Sequence, residues 1–234
     1  MKLALIGRGN MGRRVADIAA AGGHEIGVVI TSKDSKRGLD DLAGILKGHD
    51  AAIDFSVGDA VAGNAAACAR AGIPLVEGTT GWADQLAMVE QTITKAGGAL
   101  VYGANFSVAV NLFYRLVARA GELFGGLAGV EAFIQEEHHA RKRDAPSGTA
   151  LRLRDILGGS PVPIASTRAG SIPGTHRVGF DGPADHVTLE HVARSRDGFA
   201  AGALMAAGWI VGRRGVFRFE DVLDDMLATV RNTP

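Results

Sequence analysis

Near the N-terminus, Leu3-Ala4-Leu5-Ile6 is an unbroken apolar run of strand length, and after a glycine-rich turn the apolar positions Val15, Ile18 and Ala19 fall at helical spacing. The alternation continues. Residues 26–30, 51–55, 74–76 and 99–102 read as strands, and residues 59–71 and 84–96 as helices. Continuous apolar strands alternating with helices predict a parallel sheet buried on both faces. From Gly129 the rhythm changes, with strand-like runs at 130–135, 167–172, 176–180 and 186–193, a helix around 199–211 and an amphipathic helix from Phe219 to Val230. This half reads as α+β and mostly antiparallel, its sheet covered by one helical layer. Val187, Leu189 and His191 alternate with Thr188, Glu190 and Val192 without deciding which set is buried. A sheet covered on one side leaves its other face for a sister subunit, so a homo-oligomer is expected.

The first turn is Gly7-Arg8-Gly9-Asn10-Met11-Gly12, directly between a strand and a helix. There a glycine permits a tight turn, a second lets backbone approach a pyrophosphate, and a third lets helix pack closely on strand. A dinucleotide is the expected ligand. In such sheets ligands lie beyond the carboxyl ends of the strands, which makes Ser56, Gly78-Thr79-Thr80-Gly81 and Gly103-Ala104-Asn105-Phe106 candidate lining. At the end of the second strand, where an NAD site usually carries an acid, stands Thr31-Ser32-Lys33. Ser32, Lys33, Lys36 and Arg37 could bond a 2'-phosphate, which favours NADPH over NADH, although Asp34 is close by. The alternative is a solvated loop whose lysines face water.

Hydrophobic residues make up 47% of the 234 and charged residues 21%, a balance suited to a globular enzyme and unsuited to disorder. Lys plus Arg equals Asp plus Glu at 25 each, so no global field draws in nucleic acid or a membrane surface. Cys68 is the single cysteine, which excludes an intrachain disulfide and a cysteine-rich zinc site; among alanines it reads as a small core residue. No apolar run has membrane-spanning length and the chain enters a strand at once, so a cytoplasmic protein is expected. His176, His186 and His191 are scattered along strands and read as surface or satisfied sheet histidines, with no metal site expected.

Residues 136–150 read Glu-Glu-His-His-Ala-Arg-Lys-Arg-Asp-Ala-Pro-Ser-Gly-Thr-Ala. His138 and His139 titrate near neutral pH unaided, and Arg141, Lys142 and Arg143 set fixed positive charge beside them. A polyanionic substrate is implied. Ser147-Gly148-Thr149 opens a helical run through Leu151, Leu153 and Ile156, and the amides at such a start suit a carboxylate or phosphate. The plainer alternative is a charged turn before a helix capped by Ser147 or Asp144.

The same fifteen residues resemble the pattern Glu-x-His-His-x-x-Lys-x-Asp-Ala-Pro-Ser-Gly-Thr-Ala of the dihydrodipicolinate (4-hydroxy-tetrahydrodipicolinate) reductase family. Gly7 to Gly12, Ile53-Asp54-Phe55-Ser56, Gly78 to Gly81, Ala104 to Val108 and Arg168-Ala169-Gly170 are similar to family landmarks in the family's order, so the resemblance spans nearly the whole chain. It implies an α/β Rossmann-type, doubly wound parallel sheet with an inserted α+β substrate and oligomerisation domain. The expected division is 1–106 with 215–234 for the dinucleotide domain and 107–214 for the insert, with hinges near Phe106 and Arg214, in a homotetramer. It further implies hydride transfer from NADPH or NADH to C4 of a cyclic dicarboxylate in lysine and diaminopimelate biosynthesis. His138 would protonate C3, Lys142 would assist, and His139, Ser147, Gly148 and Thr149 would hold the carboxylates. Phe55 would join Gly7, Arg8, Gly9, Asn10, Met11, Gly12, Ser32, Lys33, Gly78, Thr79, Thr80, Gly103, Ala104, Asn105 and Phe106 at the cofactor. The chain departs from the family pattern around Thr31 to Lys33, where an acid is often seen, in a short stretch from Lys33 to Asp50, and in a glycine turn shorter than that of many relatives. The rival readings are another Rossmann-fold amino-acid or imine dehydrogenase and a non-enzymatic NADP(H)-binding sensor.

Overall fold

The computed structural model describes residues 1–34, 37–158 and 161–231, and the chain divides into two compact units, Met1–Val108 with Arg196–Pro234, and Ala109–Ser195. The first unit opens with β1 (Lys2–Ile6), α1 (Asn10–Ala21), β2 (Glu25–Ile30), α2 (Leu39–Leu46), β3 (Ala51–Asp54), α3 (Val61–Ala71), β4 (Leu75–Glu77), α4 (Leu86–Lys95) and β5 (Ala99–Tyr102). The second unit follows with α5 (Val108–Phe124), β6 (Glu131–His138), α6 (Gly148–Ile156), β7 (Ile164–Arg168), β8 (Thr175–Asp181) and β9 (His186–Val192). The chain then returns to the first unit through α7 (Asp197–Ile210), β10 (Gly215–Arg218) and α8 (Phe219–Arg231).

All six strands of the first sheet are parallel, in the order β10-β5-β4-β3-β1-β2. Successive strand residues point to opposite faces, and here both faces are covered. Leu3, Leu5, Ile53, Val76 and Val101 meet α1, α7 and α8, while Ala4, Ile6, Ala52, Leu75 and Leu100 meet α2, α3 and α4. The chain winds from β1 out to β2 and then crosses back to β3 on the other side of β1, so the strand order reverses between β1 and β3. That crevice is where a doubly wound sheet takes its ligand.

Helix α7 lies with the first compact unit. It packs on the first sheet, where Ala200, Ala203, Ala206 and Ala207 are fully buried. Small side chains let its backbone lie close: a Cβ on Gly202 would sit 1.7 Å from the carbonyl oxygen of Phe106. Strand β10 escapes the sequence pattern because only four residues pair with β5 at the sheet edge. Helices α2 and α5 are further elements that the apolar runs did not reveal.

The second sheet runs β7-β6-β8-β9, with β6 parallel to β7 and antiparallel to β8, and β8 antiparallel to β9. Strand β7 begins at Ile164 and ends at Arg168, earlier than the expected 167–172, because Gly170 turns the chain at φ 47° and the Ala169 N–H bonds to the His138 carbonyl. The register lines Ile134 up with Val178 and Leu189, which pack with Phe113 and Val117 of α5 and Leu153 of α6. Leu189 and His191 therefore lie on the covered side of β9. On the other side Arg177 bridges Glu137 and Glu190.

The tight seat of α7 makes a testable case. Gly202→Ala should destabilise by about 1–3 kcal/mol because backbone cannot yield to the added methyl. Gly44→Ala, in α2 with nothing within 4 Å of the added atom, should stabilise by about 0.5–1 kcal/mol. Urea unfolding of the two variants checks this, and equal shifts would contradict the close packing.

Candidate active site

The covered face of the second sheet changes from apolar to polar along its strands. One row, Ile164, Ile134, Val178 and Leu189, is wholly apolar; two residues further along β6 the same face carries Ser166, Glu136, His176 and His191 in register. In the next row His138 pairs with Arg168. Period-two alternation thus delivers a carboxylate, three imidazoles and a guanidinium to one end of one face.

Glu136 has no exposed side-chain surface and accepts the Nδ1–H of His138, the Nη2 of Arg168 at 2.6 Å and the backbone N–H of Ser147 at 3.3 Å. Burial pushes its pKa up, but the bonds from Arg168, Ser166 and His138 outweigh that and bring it down to about 2. Burial lowers the His138 pKa, and bonding to Glu136 pulls it back upward. His176 stands edge-on to His138 with centroids 5.1 Å apart, and burial brings its pKa down to about 4, so it is neutral. Its Nε2 meets the Ser147 hydroxyl at 3.1 Å.

That hydroxyl is also the cap of α6, accepting the Ala150 N–H at 3.2 Å, and at 2% exposure Ser147 is enclosed. The first helical residues, Gly148 and Thr149, have amides that no intrahelical carbonyl can satisfy. Lys142 donates to both oxygens of Asp144 at 2.8 Å, and Arg168 also reaches the Asp144 carbonyl at 2.6 Å. The bond from Lys142 lowers the Asp144 pKa. His139 is half-buried, with a buried Nδ1 that has no partner among the described residues. Glu136, His138 and His176 bring ligand-type atoms within 4.8 Å of one another, but Arg168 and His138 already engage both Glu136 oxygens. With Arg168 and Lys142 adjoining, the cluster is built to handle protons and anions.

In the first unit Gly7 adopts φ 94°, and a Cβ there would sit 2.5 Å from the Phe55 carbonyl oxygen across the switch point. A Cβ on Gly12 would lie 2.1 Å from the Gly7 carbonyl oxygen, while Gly9 faces open space. Helix α1 begins with no side-chain cap and no acid in its first turn, leaving its N–H groups and positive dipole end for an anion. A groove of about 450 Å³ in the same unit is lined by Arg37, Leu39, Val57, Asp59, Ala60 and Asn64 among others, space that fits a nucleoside. These features fit a dinucleotide cofactor. Asp34 turns into its own loop, accepting the Thr31 N–H and hydroxyl at 3.0 Å and pairing with Arg37; the Thr31 N–H lowers its pKa. Lys36, expected beside it, lies outside the described residues. Phe106 is 1% exposed, its ring packed on Phe55 and Phe219, so its side chain belongs to the core.

Two loops of this unit rest on a buried acid pair. Asp54 and Glu77 are opposite each other on β3 and β4, and neither is exposed. Asp54 accepts the Ser56 N–H and the Asn64 amide, both at 2.7 Å, while Glu77 accepts the Thr79 N–H at 2.7 Å through one oxygen only. The other Glu77 oxygen has no N–H or O–H donor among the described residues, and burial and the Asp54 charge raise the Glu77 pKa well above its usual range. A proton held on Glu77 and shared with Asp54 accounts for both facts. Burial likewise pushes the Cys68 thiol up, which leaves it inert.

Residues 1–106 match the family described as dihydrodipicolinate reductase, N-terminus, and residues 109–223 match its C-terminus. The chain belongs to the dihydrodipicolinate reductase family. It is 34% identical to the 4-hydroxy-tetrahydrodipicolinate reductase of Christiangramia forsetii over 97% of this chain and 99% of that protein. It is 35% identical to the enzyme of the same name from Methanosarcina mazei over 92% of this chain and 86% of the other. Among solved structures, dipicolinate-bound dihydrodipicolinate reductase from Paenisporosarcina sp. TG-14 superposes with a TM-score of 0.77 at 19% identity, covering 93% of this chain and 97% of that one, a likeness of fold. A probable dehydrogenase from Thermotoga maritima shares the fold more distantly, with a TM-score of 0.61 at 12% identity over 95% and 92% of the two chains.

In this dihydrodipicolinate reductase family member, the structure gathers His138 and Lys142 with Ser147 at the start of α6, and Gly7 to Gly12 with Phe55, Gly78 and Thr79 at the sheet's switch point. Sequence reasoning gave His176, Asp54, Glu136 and Arg168 no role in a site and did not single out Glu77 or Asn64. A register argument could have found His176, since Glu136 and His176 share a face once β6 and β8 are paired. The acid pair yields a prediction. A proton held on Glu77 in the folded state stabilises the protein below the usual glutamate range and is lost as pH rises through the raised value. Glu77→Gln should therefore lose less thermal stability than the parent protein between pH 5 and pH 9. Identical slopes in a melting series would refute the shared proton.

Proposed function

We propose that this protein is a nicotinamide-dependent 4-hydroxy-tetrahydrodipicolinate reductase, reducing the unsaturated ring dicarboxylate to tetrahydrodipicolinate in lysine and diaminopimelate biosynthesis. The observation that carries the reading is a carboxylate-bound His138 beside Lys142 and the open amides of α6: a proton donor next to groups that hold carboxylates. When bound in the first unit, reduced nicotinamide supplies the hydride to ring carbon C4. Once the 4-hydroxyl has left as water to give the C3=C4 unsaturated ring, hydride addition at C4 leaves an electron pair at C3, and the His138 imidazolium gives up its proton there, returning to neutral imidazole. Lys142 leaves Asp144 to place its ammonium at the reacting centre, where it offsets the charge that develops. His139 and the N–H groups of Gly148 and Thr149 hold the two carboxylates, with Ser147 fixing the start of the helix that presents them. Two negative groups on the substrate raise the His138 pKa on binding and charge it for its task.

In the first unit Gly7, Arg8, Gly9, Asn10, Met11 and Gly12 would surround the pyrophosphate, and Gly78, Thr79, Thr80, Gly103, Ala104 and Asn105 the nicotinamide side. Ser32 and Lys33 would meet the 2'-phosphate, since Asp34 is occupied by Thr31 and Arg37. NADPH is accordingly favoured over NADH. A homotetramer assembled through the uncovered face of the second sheet, and residence in the cytoplasm, complete the proposal; no helix of the described residues is long and apolar enough to cross a membrane.

The direct assay follows loss of near-ultraviolet absorbance of reduced nicotinamide, using substrate made freshly from pyruvate and aspartate semialdehyde. Turnover supports the proposal and its absence with either cofactor refutes it. His138→Gln should cut kcat by about 10²–10⁴-fold and leave cofactor affinity intact; undiminished turnover would remove His138 from the chemistry. Lys33→Glu should weaken NADPH more than NADH in fluorescence titrations. Equal losses for both would show that this loop does not read the phosphate.

A further inference from the structure

Glu136, 1% exposed, is the most enclosed charge of the second unit among the described residues. A fully buried carboxylate is costly unless donors surround it. Its donors come from separate stretches of chain: His138 on β6, Ser166 and Arg168 on β7, and the Ser147 amide that opens α6. Arg168 is itself held by the carbonyls of Thr167 and Asp144, so the guanidinium cannot drift from the carboxylate. A carboxylate bound at Nδ1 requires a hydrogen there in both protonation states, which places the remaining exchangeable proton on Nε2. Gly174, at φ 138°, packs against that edge of the ring, and only a residue without a side chain fits there, since a Cβ would come within 3.2 Å of Nε2 and Cδ2. On the neighbouring strand His176 is tied to the Ser147 hydroxyl through its own Nε2.

We propose that Glu136 is the positioning residue of His138: it holds Nδ1–H so that Nε2 is the atom that releases the proton to substrate, and Arg168 holds Glu136 in place. This rests on the reading of His138 as the proton donor. In the step, the Nε2–H bond breaks as the C3–H bond forms, and its electron pair stays on Nε2. The neutral Nδ1–H imidazole that remains is recharged by a proton from solvent. The charged and titratable groups around His138 are Glu136 on β6, Arg168 on β7, His176 on β8 and Lys142 in the loop after β6. Glu136 alone among them is negative. Without its charge nothing in direct contact with His138 would offset Arg168 and Lys142, and its protonated form would be harder to make.

Nitrogen NMR on the intact protein, labelled at histidine, tests this without any substitution. The neutral ring of His138 should be the Nδ1–H tautomer with a far-downfield Nδ1 proton, and an Nε2–H tautomer overturns the proposal. Glu136→Gln should lower kcat about 100-fold with cofactor affinity unchanged, and should move the alkaline fall of kcat/KM to lower pH. Glu136→Asp should restore the position of that fall. If Glu136→Gln lowers kcat but leaves the profile where it was, Glu136 is only structural and the proposal fails. A fully active His138→Gln would instead bring down the role of His138 and this proposal together. A collapsed His138→Gln beside an unmoved Glu136→Gln profile overturns the role of Glu136 alone.

Discussion

A carboxylate with no exposed surface has to gather its own donors, and in Glu136 that requirement ties β6, β7 and the start of α6 to one point. It places His138, Arg168 and the start of α6. The imidazole of His138 is oriented at Nδ1, Arg168 is drawn inward from an edge strand, and Ser147 is fixed both as a helix cap and as the partner of His176. Such a network is demanding, because a carboxylate left with one partner missing would be a buried and uncompensated charge. The sheet makes it possible by register. Two residues along β6 the covered face passes from Ile134, among apolar side chains, to Glu136, among polar ones.

The first unit solves a different problem, close approach of backbone at a switch point. Gly7 and Gly12 leave no room for side chains where strand, turn and helix meet. Beneath the neighbouring loops, Asp54 and Glu77 hold the amides of Ser56 and Thr79, so two loops at the carboxyl ends of β3 and β4 take their shape from acids rather than from solvent. An acid pair in such a place is tolerable only while it carries a proton. The small residues of α7 serve the same unit from below the sheet, where Gly202 meets the backbone of Phe106.

Much of this was legible in the order of residues. Continuous runs such as Leu3 to Ile6 announce a doubly covered parallel sheet, and the crowded stretch from Glu136 to Ala150 announces a site and a family. What stayed hidden depends on pairing. His176 looked like one more strand histidine until β8 was set against β6, and Glu77 looked like the end of a short strand until Asp54 stood opposite. The affiliation of α7 was hidden for a related reason: a helix of alanine, glycine and apolar residues on every side states that it is buried, but not in which unit. Strand β10 draws its place from pairing with β5, and its four residues carry too little pattern to read.

The central claim is that the start of α6 and the imidazole beside it receive a ring bearing two carboxylates. An amide and imidazole NMR titration with pyridine-2,6-dicarboxylate in the presence of oxidised cofactor tests it most directly. The account predicts that the Gly148 and Thr149 amides and the His138 and His139 rings shift together along one saturating curve. Saturable binding that leaves those four residues unmoved would contradict it.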